Sequence, residues 1–550
     1  MASTDGEPGS EELEPAPPPR AGTAALLVGL GISLSRIVGL VRERVLATYF
    51  GTGLHADVLS AGLRLPNVLQ NLLGEGTLSA SFIPAYSALL GKGRTEEAGR
   101  VAGAAFALLL AVAGAISLLG VLLAPVIVSV FTPGFTGQRR ELLVAVVRIV
   151  FPMTGVLVLS AWALGILNSH RKFFLPYFAP VLWNAAIIGT FVAFGSRLAL
   201  DALVIAAAWG ALLGGALQFL VQLPAVLKLD RQIRLSTGRN EPAFRDAVRK
   251  AGPAIMGRGV VQLSGYLDLI LASLLAVGAV ARLRYAQTLY LLPISLFAMS
   301  VAAAALPDLA RDRDGAVGAL RERTAAAVRR VSFFVVPSFV AFVVIGDVLV
   351  AGLYRAGEFG DADVRIVWLI LIGYSLGLLA STTTRVYQSA FFALRDTATP
   401  ARAAVVRVVI ALVVGALLMV QFEPVVVLGV TLPAGALASF DAQSLPLGPL
   451  GLAFGASLGA WVEWALLKRR LAVLVGEVGA GAAPLARTFG AALIAAAGAY
   501  AASRWLTSLY ALLEAVAVAA VFGALYFAAA AGLGLEQARA LLRRLRRRAT

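Results

Sequence analysis

Not one of the 550 residues is a cysteine. That removes disulfides, thiol nucleophiles and thiolate metal sites together. Histidine is almost as scarce. His55 and His170 are the two in the chain, each at the end of an apolar run and remote from any ligand cluster, so no metal site is expected. Charge is thin at 14% of residues, and carboxylates are the scarcer sign, 31 against 47 lysines and arginines. No glycine loop followed by Lys-Ser or Lys-Thr is present, which excludes a P-loop ATPase. No cofactor is expected, and any transport would draw on the membrane potential, an ion gradient or the cargo's own gradient.

Hydrophobic residues take up what is left, 59% of the chain at a mean hydropathy of +0.84. A soluble domain of this length does not have that balance, whereas a polytopic helical membrane protein does. About fourteen apolar segments reach the roughly 20 residues that crossing a bilayer requires. Residues 1–22 are acidic and rich in Pro and Gly, lack the basic start of a secretory signal, and are expected to form a disordered cytoplasmic tail. With that end inside, basic residues gather in the inside loops, among them Arg171 and Lys172, residues 229–249 and the Lys468–Arg470 triplet. That bias predicts a multi-pass protein with both termini cytoplasmic. The net charge of +16 is spread over loops and the C-terminal tail, so no nucleic-acid partner is expected.

The chain also echoes itself. The second segment opens LPNVLQN and closes SFIPAYS, and the eighth carries LLPISLF and closes ALPDLAR. The expected fold class is therefore all-α, with about fourteen transmembrane helices in two six-helix lobes related by a parallel repeat, plus two C-terminal helices. The lobes would span 23–228 and 250–467, joined by the basic cytoplasmic loop 229–249. The extra pair would occupy 468–533, and 534–550 would be a basic cytoplasmic tail.

Against that apolar background a few charges stand out. Each costs roughly 2.5–3.5 kcal/mol at a helix centre, so intramembrane charges are usually functional. On the second segment Asp57, Arg64, Asn67, Asn71 and Glu75 recur at spacings that place them on one face of a continuous helix. Arg36 and Glu43 nearly coincide on the wheel of the first segment, while Arg42 and Arg44 point elsewhere. Structural ion pairs between helices account for some such charges; a polar line along a whole helix points to a hydrated cavity. Arginine stays charged in any protein environment and its fork matches phosphate oxygens, so the cargo expected is anionic and phosphate-bearing. Arg258 and Asp268 on the seventh segment and Gln287 and Thr288 on the eighth are further polar positions. Asp268 is a candidate for ion coupling, with a salt bridge to Arg258 or a neighbour as the equal alternative. Asp361-Ala362-Asp363 has the form of a glycosyltransferase metal motif but falls in an outside loop, where a short acidic loop explains it better.

The stretches SRIVGLVRERVLATYFGTGLHADV, LPNVLQNLLGEGTLSASFIP, FFLPYFAPVLWN, GPAIMG and FFALRDTATP resemble the MurJ (MviN) family of lipid II flippases in the MOP superfamily. The resemblance runs in order over nearly the whole chain after residue 21. It implies fourteen helices around a cationic cavity and translocation of undecaprenyl-diphosphate-linked peptidoglycan precursor, lipid II, from the inner to the outer leaflet of the bacterial cytoplasmic membrane by alternating access. It implies that Arg36 and Arg42 are essential cavity arginines, that Glu43 and Asp57 match acidic positions, and that Arg64, Asn67 and Glu75 match a basic residue, an asparagine and a glutamate. The last two helices would form a groove for the lipid tail. Membrane lipids, a monovalent ion and cell-wall synthesis proteins are the further partners it suggests.

Two departures bear on the cargo. The family's LPNLLRR pattern reads LPNVLQN here, putting Gln70-Asn71 where a basic pair helps to bind diphosphate. Its ADRLMEFP becomes AQTLYLLP, putting Gln287-Thr288 in place of an acidic–arginine pair. Either Arg64, Arg258 or Arg284 compensates, or the cargo or its grip differs. The alternatives are a flippase for another polyprenyl-diphosphate-linked oligosaccharide or a MATE-like exporter of the same superfamily. A membrane-embedded enzyme would need a catalytic carboxylate or histidine cluster near one leaflet, and the sequence offers none. Gly29, Gly31, Gly39 and Pro66 are the expected points of bending.

Overall fold

In hydrocarbon every backbone N–H and C=O must be satisfied within the segment, so an apolar chain of this kind folds as helices. The computed structural model describes residues 21–73, 81–238, 240–295, 317–427, 430–437, 445–506 and 509–540. Its first half comprises α1 (Ala21–Phe50), α2 (Leu54–Arg64), α3 (Asn67–Leu73), α4 (Phe82–Gly91), α5 (Thr95–Leu122), α6 (Ala124–Phe131), α7 (Gly137–Ser169), α8 (Phe174–Phe194), α9 (Leu200–Leu220) and α10 (Leu223–Leu229). The second comprises α11 (Pro242–Ser273), α12 (Ala279–Pro293), α13 (Val317–Val344), α14 (Gly346–Tyr354), α15 (Asp361–Ser375), α16 (Leu378–Ala393), α17 (Ala398–Phe422) and α18 (Gly448–Val475). Last come α19 (Ala482–Trp505) and α20 (Ala511–Gly532).

The packing repeats with an offset of six spans. α1 packs on α8 as α11 packs on α17, and α8 on α9 as α17 on α18. The pairs α7–α9, α5–α7 and α2–α7 reappear as α16–α18, α13–α16 and α12–α15. Even the breaks repeat: the third span is interrupted at Leu123 between α5 and α6, the ninth at Ile345 between α13 and α14. α19 and α20 pack on each other and lean on α13 and α14. Lipid-facing surfaces are covered by side chains such as Leu122, Val192, Leu417 and Val473, all more than half exposed. The closest helix pair is α17–α18. Gly451, Gly455 and Gly459 lie along its seam, and a Cβ on Gly455 would sit 2.5 Å from the Gly415 nitrogen. Such small-residue seams let two helices approach in lipid.

Among the described residues ten helices are long and apolar enough to cross a membrane. Those expected spans that fall outside the ten are the first, second, seventh and eighth. They correspond to α1, α2–α4, α11 and α12, the segments that carry the charges. Under the six-span offset they are equivalent pairs, and they pack at the junction of the two halves, α2 on α12 and α3 and α4 on α11.

One expectation changes. The second span is not one continuous helix: α2 ends at Arg64 and α3 starts at Asn67, with Pro66 between them. Proline removes a backbone donor and clashes with the preceding turn, so the polar stripe is split between two axes. α1 runs unbroken past Gly29, Gly31 and Gly39. Gly31 instead permits close approach, since a Cβ there would lie 2.8 Å from Tyr177 Cβ on α8. Outside the helices, β1 (Val425–Val427) and β2 (Val430–Leu432) form a short antiparallel pair, with Val425 opposite Leu432. Glu423 pins its base by accepting the backbone N–H groups of Ala276 (2.5 Å) and Gly448 (3.0 Å).

Candidate functional site between the two halves

α1 carries two of the three guanidiniums that define the site. Arg42 donates to Asn184 Oδ1 on α8 (2.9 Å) and to Glu43 Oε1 (2.5 Å), and its guanidinium lies 4.7 Å from the centre of the Trp183 ring. Glu43 is buried at 3% exposure, and the same oxygen accepts a second guanidinium, Arg284 of α12, at 2.7 Å. Arg284 also reaches Ser60 Oγ on α2 at 3.3 Å. One carboxylate thus stands between two arginines that belong to opposite halves. Two turns earlier on α1, Arg36 donates to Ser295 Oγ just beyond α12. Arg36 lines a cavity of about 290 Å³ together with Ser35, Gln70, Ser160, Tyr177 and Gln218.

Where α1 ends, the halves are fastened together. Tyr285 donates to the Gly51 carbonyl (3.1 Å) and the Glu358 N–H to the Thr48 carbonyl (2.9 Å). Thr52 donates to Asp363 Oδ1 (2.5 Å) and accepts from Arg282 (3.2 Å). Arg44 donates to the Gly352 carbonyl (2.6 Å) and to the Tyr510 hydroxyl (2.5 Å). Asp363 is therefore part of this seal, while Asp361 accepts from Arg355 of the same half (3.3 Å). It opens α15, where Asp363 accepts the Gly360 N–H at 3.1 Å.

Residues 46–531 match the family described as MurJ: Lipid II flippase MurJ. The chain belongs to the MurJ family. A lipid II flippase MurJ of Burkholderia cenocepacia is 32% identical over 389 residues, 69% of this chain and 75% of its own length. A probable lipid II flippase MurJ of Vibrio cholerae is 27% identical over 458 residues, 82% of each chain. Among solved structures, a lipid II flippase MurJ in an inward closed conformation superposes with a TM-score of 0.71 at 22% identity, covering 91% of this chain and 99% of the other. An inward-facing MATE multidrug transporter of the MOP superfamily gives 0.63 at 18% identity, covering 82% and 98%. These two likenesses concern the fold. A polytopic helical membrane transporter, not an enzyme, is what the family is.

Within this MurJ-family chain the residues marked from sequence fall into groups. Arg42 and Glu43 bond each other beside Arg284, while Arg36 and Gln70 line the 290 Å³ cavity within the first half. Asp57 is fully buried and does a different job: it pairs with Arg139 of α7 at 2.5 Å and accepts the N–H groups of Gly278 (2.6 Å) and Ala281 (2.8 Å). It therefore caps the start of α12 from the other half. Arg64 donates to the Gly265 carbonyl (2.7 Å) on α11, and Asn67 is exposed. Asn71, on α3, is half-buried. Gln287 donates to the Tyr374 hydroxyl (2.7 Å), while Thr288 returns its proton to the Arg284 carbonyl one turn back (2.9 Å). Asp268 faces the charges of Arg64 and Arg407 and makes no side-chain hydrogen bond among the described residues. Glu75 and the side chain of Arg258 lie outside the described residues.

Sequence reasoning missed Arg139, which reads as a loop arginine outside, and named Arg284 only as one of three residues that could compensate for the missing arginines. Asn184 and Trp183 sat in plain view inside FFLPYFAPVLWN, and the signal was an amide and an indole in an otherwise apolar span. Arg284 holds a place one turn before Thr288, so a guanidinium reaches the site from α12 although the expected position is neutral.

Proposed function

We propose that this chain, a lipid II flippase by family, grips the diphosphate of its cargo with Arg36, Arg42 and Arg284 and passes it across by alternating exposure of the junction. The carrying observation is the balance at that junction: three guanidiniums from two halves and a single carboxylate, Glu43, bonded to two of them. Guanidinium–phosphate pairs are short, charge-assisted and frequently bidentate. In the state described Glu43 occupies that role, so an arriving diphosphate exchanges with a resident carboxylate. With both ends in the cytoplasm, as the basic loops predict, the fastened face is the outer one and the cavity beside Arg36 lies toward the inner leaflet. An apolar groove of about 540 Å³, bordered by Val336, Phe339, Leu379, Phe454, Trp461 and Phe489, has the lining that a polyprenyl tail requires.

The membrane potential is the driving force we favour. A net negative cargo moving outward runs down an inside-negative potential, worth about 2.3 kcal/mol per charge per 100 mV. Asp268 is badly placed to hold a coupling cation, because two guanidiniums already face it. The exporter alternative rests on fold alone, and a guanidinium-rich junction suits an anion better than a cationic drug.

The test is complementation of a strain depleted of its own MurJ, with surface-exposed lipid II scored directly. The wild-type chain is expected to restore exposure, and Arg36→Ala to remove at least nine-tenths of it while still inserting in the membrane. A stable, inserted wild-type protein that restores nothing would move the cargo to another polyprenyl-diphosphate lipid.

A further inference from the structure

A second group of charges lies in the other half, outside the diphosphate grip. On α16, Ser381, Arg385 and Gln388 follow at helical spacing and share one face. Ser381 accepts from the Tyr290 hydroxyl of α12 (3.1 Å), which sets that face against the junction. Gln388 donates to Glu463 Oε1 of α18 (3.0 Å), and Arg407 of α17 donates to Glu463 Oε2 (3.0 Å). Glu463, at 1% exposure, is thus fully engaged. Between these contacts stands Arg385. Its charge faces Arg407, Tyr290 and Glu463, yet its guanidinium makes no hydrogen bond or ion pair among the described residues, and it is exposed. Its guanidinium offers five N–H donors, beside a second guanidinium that Glu463 already pairs.

We propose that Arg385, supported by Arg407, binds a carboxylate of the cargo's peptide while Arg36, Arg42 and Arg284 hold the diphosphate. This rests on the lipid II reading above. A peptidoglycan precursor carries peptide carboxylates as well as its diphosphate, so two separate cationic sites match one molecule. The spacing fits. Ser295, which Arg36 touches, and Tyr290, which Arg385 faces, are five residues apart along one helical segment, about 7.5 Å of axial rise. A cargo gripped at both ends is held by the junction at its diphosphate and by the second half at its peptide. Arg385 is then a specificity residue: it separates the complete precursor from a bare polyprenyl diphosphate.

The experiment uses the full chain in nanodiscs and two probes, lipid II and lipid II whose peptide carboxylates are amidated. Wild type is expected to bind the amidated lipid about ten- to hundred-fold more weakly, the range of a hydrogen bond to a charged group. Arg385→Gln is expected to bind both lipids at that weaker level, and Arg385→Lys to recover part of the difference. Equal binding of the two lipids by wild type would overturn the subsite while leaving the flippase reading intact. A parallel loss of both lipids in Arg385→Gln would overturn it too, by assigning the residue to the diphosphate or to folding. Wild type that binds neither lipid would overturn the cargo reading itself.

Discussion

Glu43→Ala is expected to leave a protein that inserts but unfolds several degrees below wild type, and whose stability returns when pyrophosphate is added. The argument starts from burial. Glu43 is 3% exposed, and its Oε1 takes hydrogen bonds from Arg42 at 2.5 Å and Arg284 at 2.7 Å. Removing one partner of a buried ion pair costs about 3–5 kcal/mol, because the remaining charge has neither water nor counter-ion. Here two guanidiniums are left, and arginine does not escape by losing its proton. An anion can take the vacated place, and one with several oxygens serves both forks at once. Wild type should respond far less to pyrophosphate, since its own carboxylate competes. Thermal unfolding of both proteins in detergent, with and without pyrophosphate, reads the effect. A variant that melts with wild type and ignores pyrophosphate would remove Glu43 from the grip. Flipping should fall as well: without the resident carboxylate, release of the cargo leaves two bare charges in a buried site.

How much of this was legible in sequence depends on how far each argument had to reach. Arg36 and Glu43 lie on one unbroken helix, so their spacing put them on one face, whereas Arg42 was marked only by its cost in lipid. Helical spacing failed across Pro66, where a stripe drawn as one line is divided between α2 and α3. Asp57 belongs to the first part and faces Arg139 and the start of α12; Gln70 belongs to the second and faces the cavity. Asp57 and Arg139 are 82 residues apart, and nothing local to either announces the other. Arg284 was obscured for a related reason. It stands near a span boundary, where an arginine reads equally well as a loop residue that sets topology. The repeat fared better, because a six-span offset is a property of order along the chain.

The absence of cysteine makes the alternating-access reading directly testable, since any pair of introduced thiols reacts without background. Thr52→Cys with Asp363→Cys is the pair that should have the largest effect. The two side chains touch at 2.5 Å and belong to opposite halves. They lie among the contacts from Tyr285 to Gly51 and from Glu358 to Thr48, at the face that must part if the cargo is to leave on the far side. Oxidised to a disulfide, the double variant is expected to lose essentially all flipping, and a reductant should restore it toward the level of the reduced protein. Each single variant lacks the cross-link and should be insensitive to oxidation, which separates locking from damage to the seal. The reduced double variant loses the Thr52–Asp363 hydrogen bond and one acceptor for Arg282, so its own activity sets the baseline. Cross-linked protein that still exposes lipid II at that baseline would mean this face does not open, and the cargo's path would have to run elsewhere. Loss on oxidation and recovery on reduction would place the moving contact between α1 and α15, where the seal between the halves is built from side chains of both.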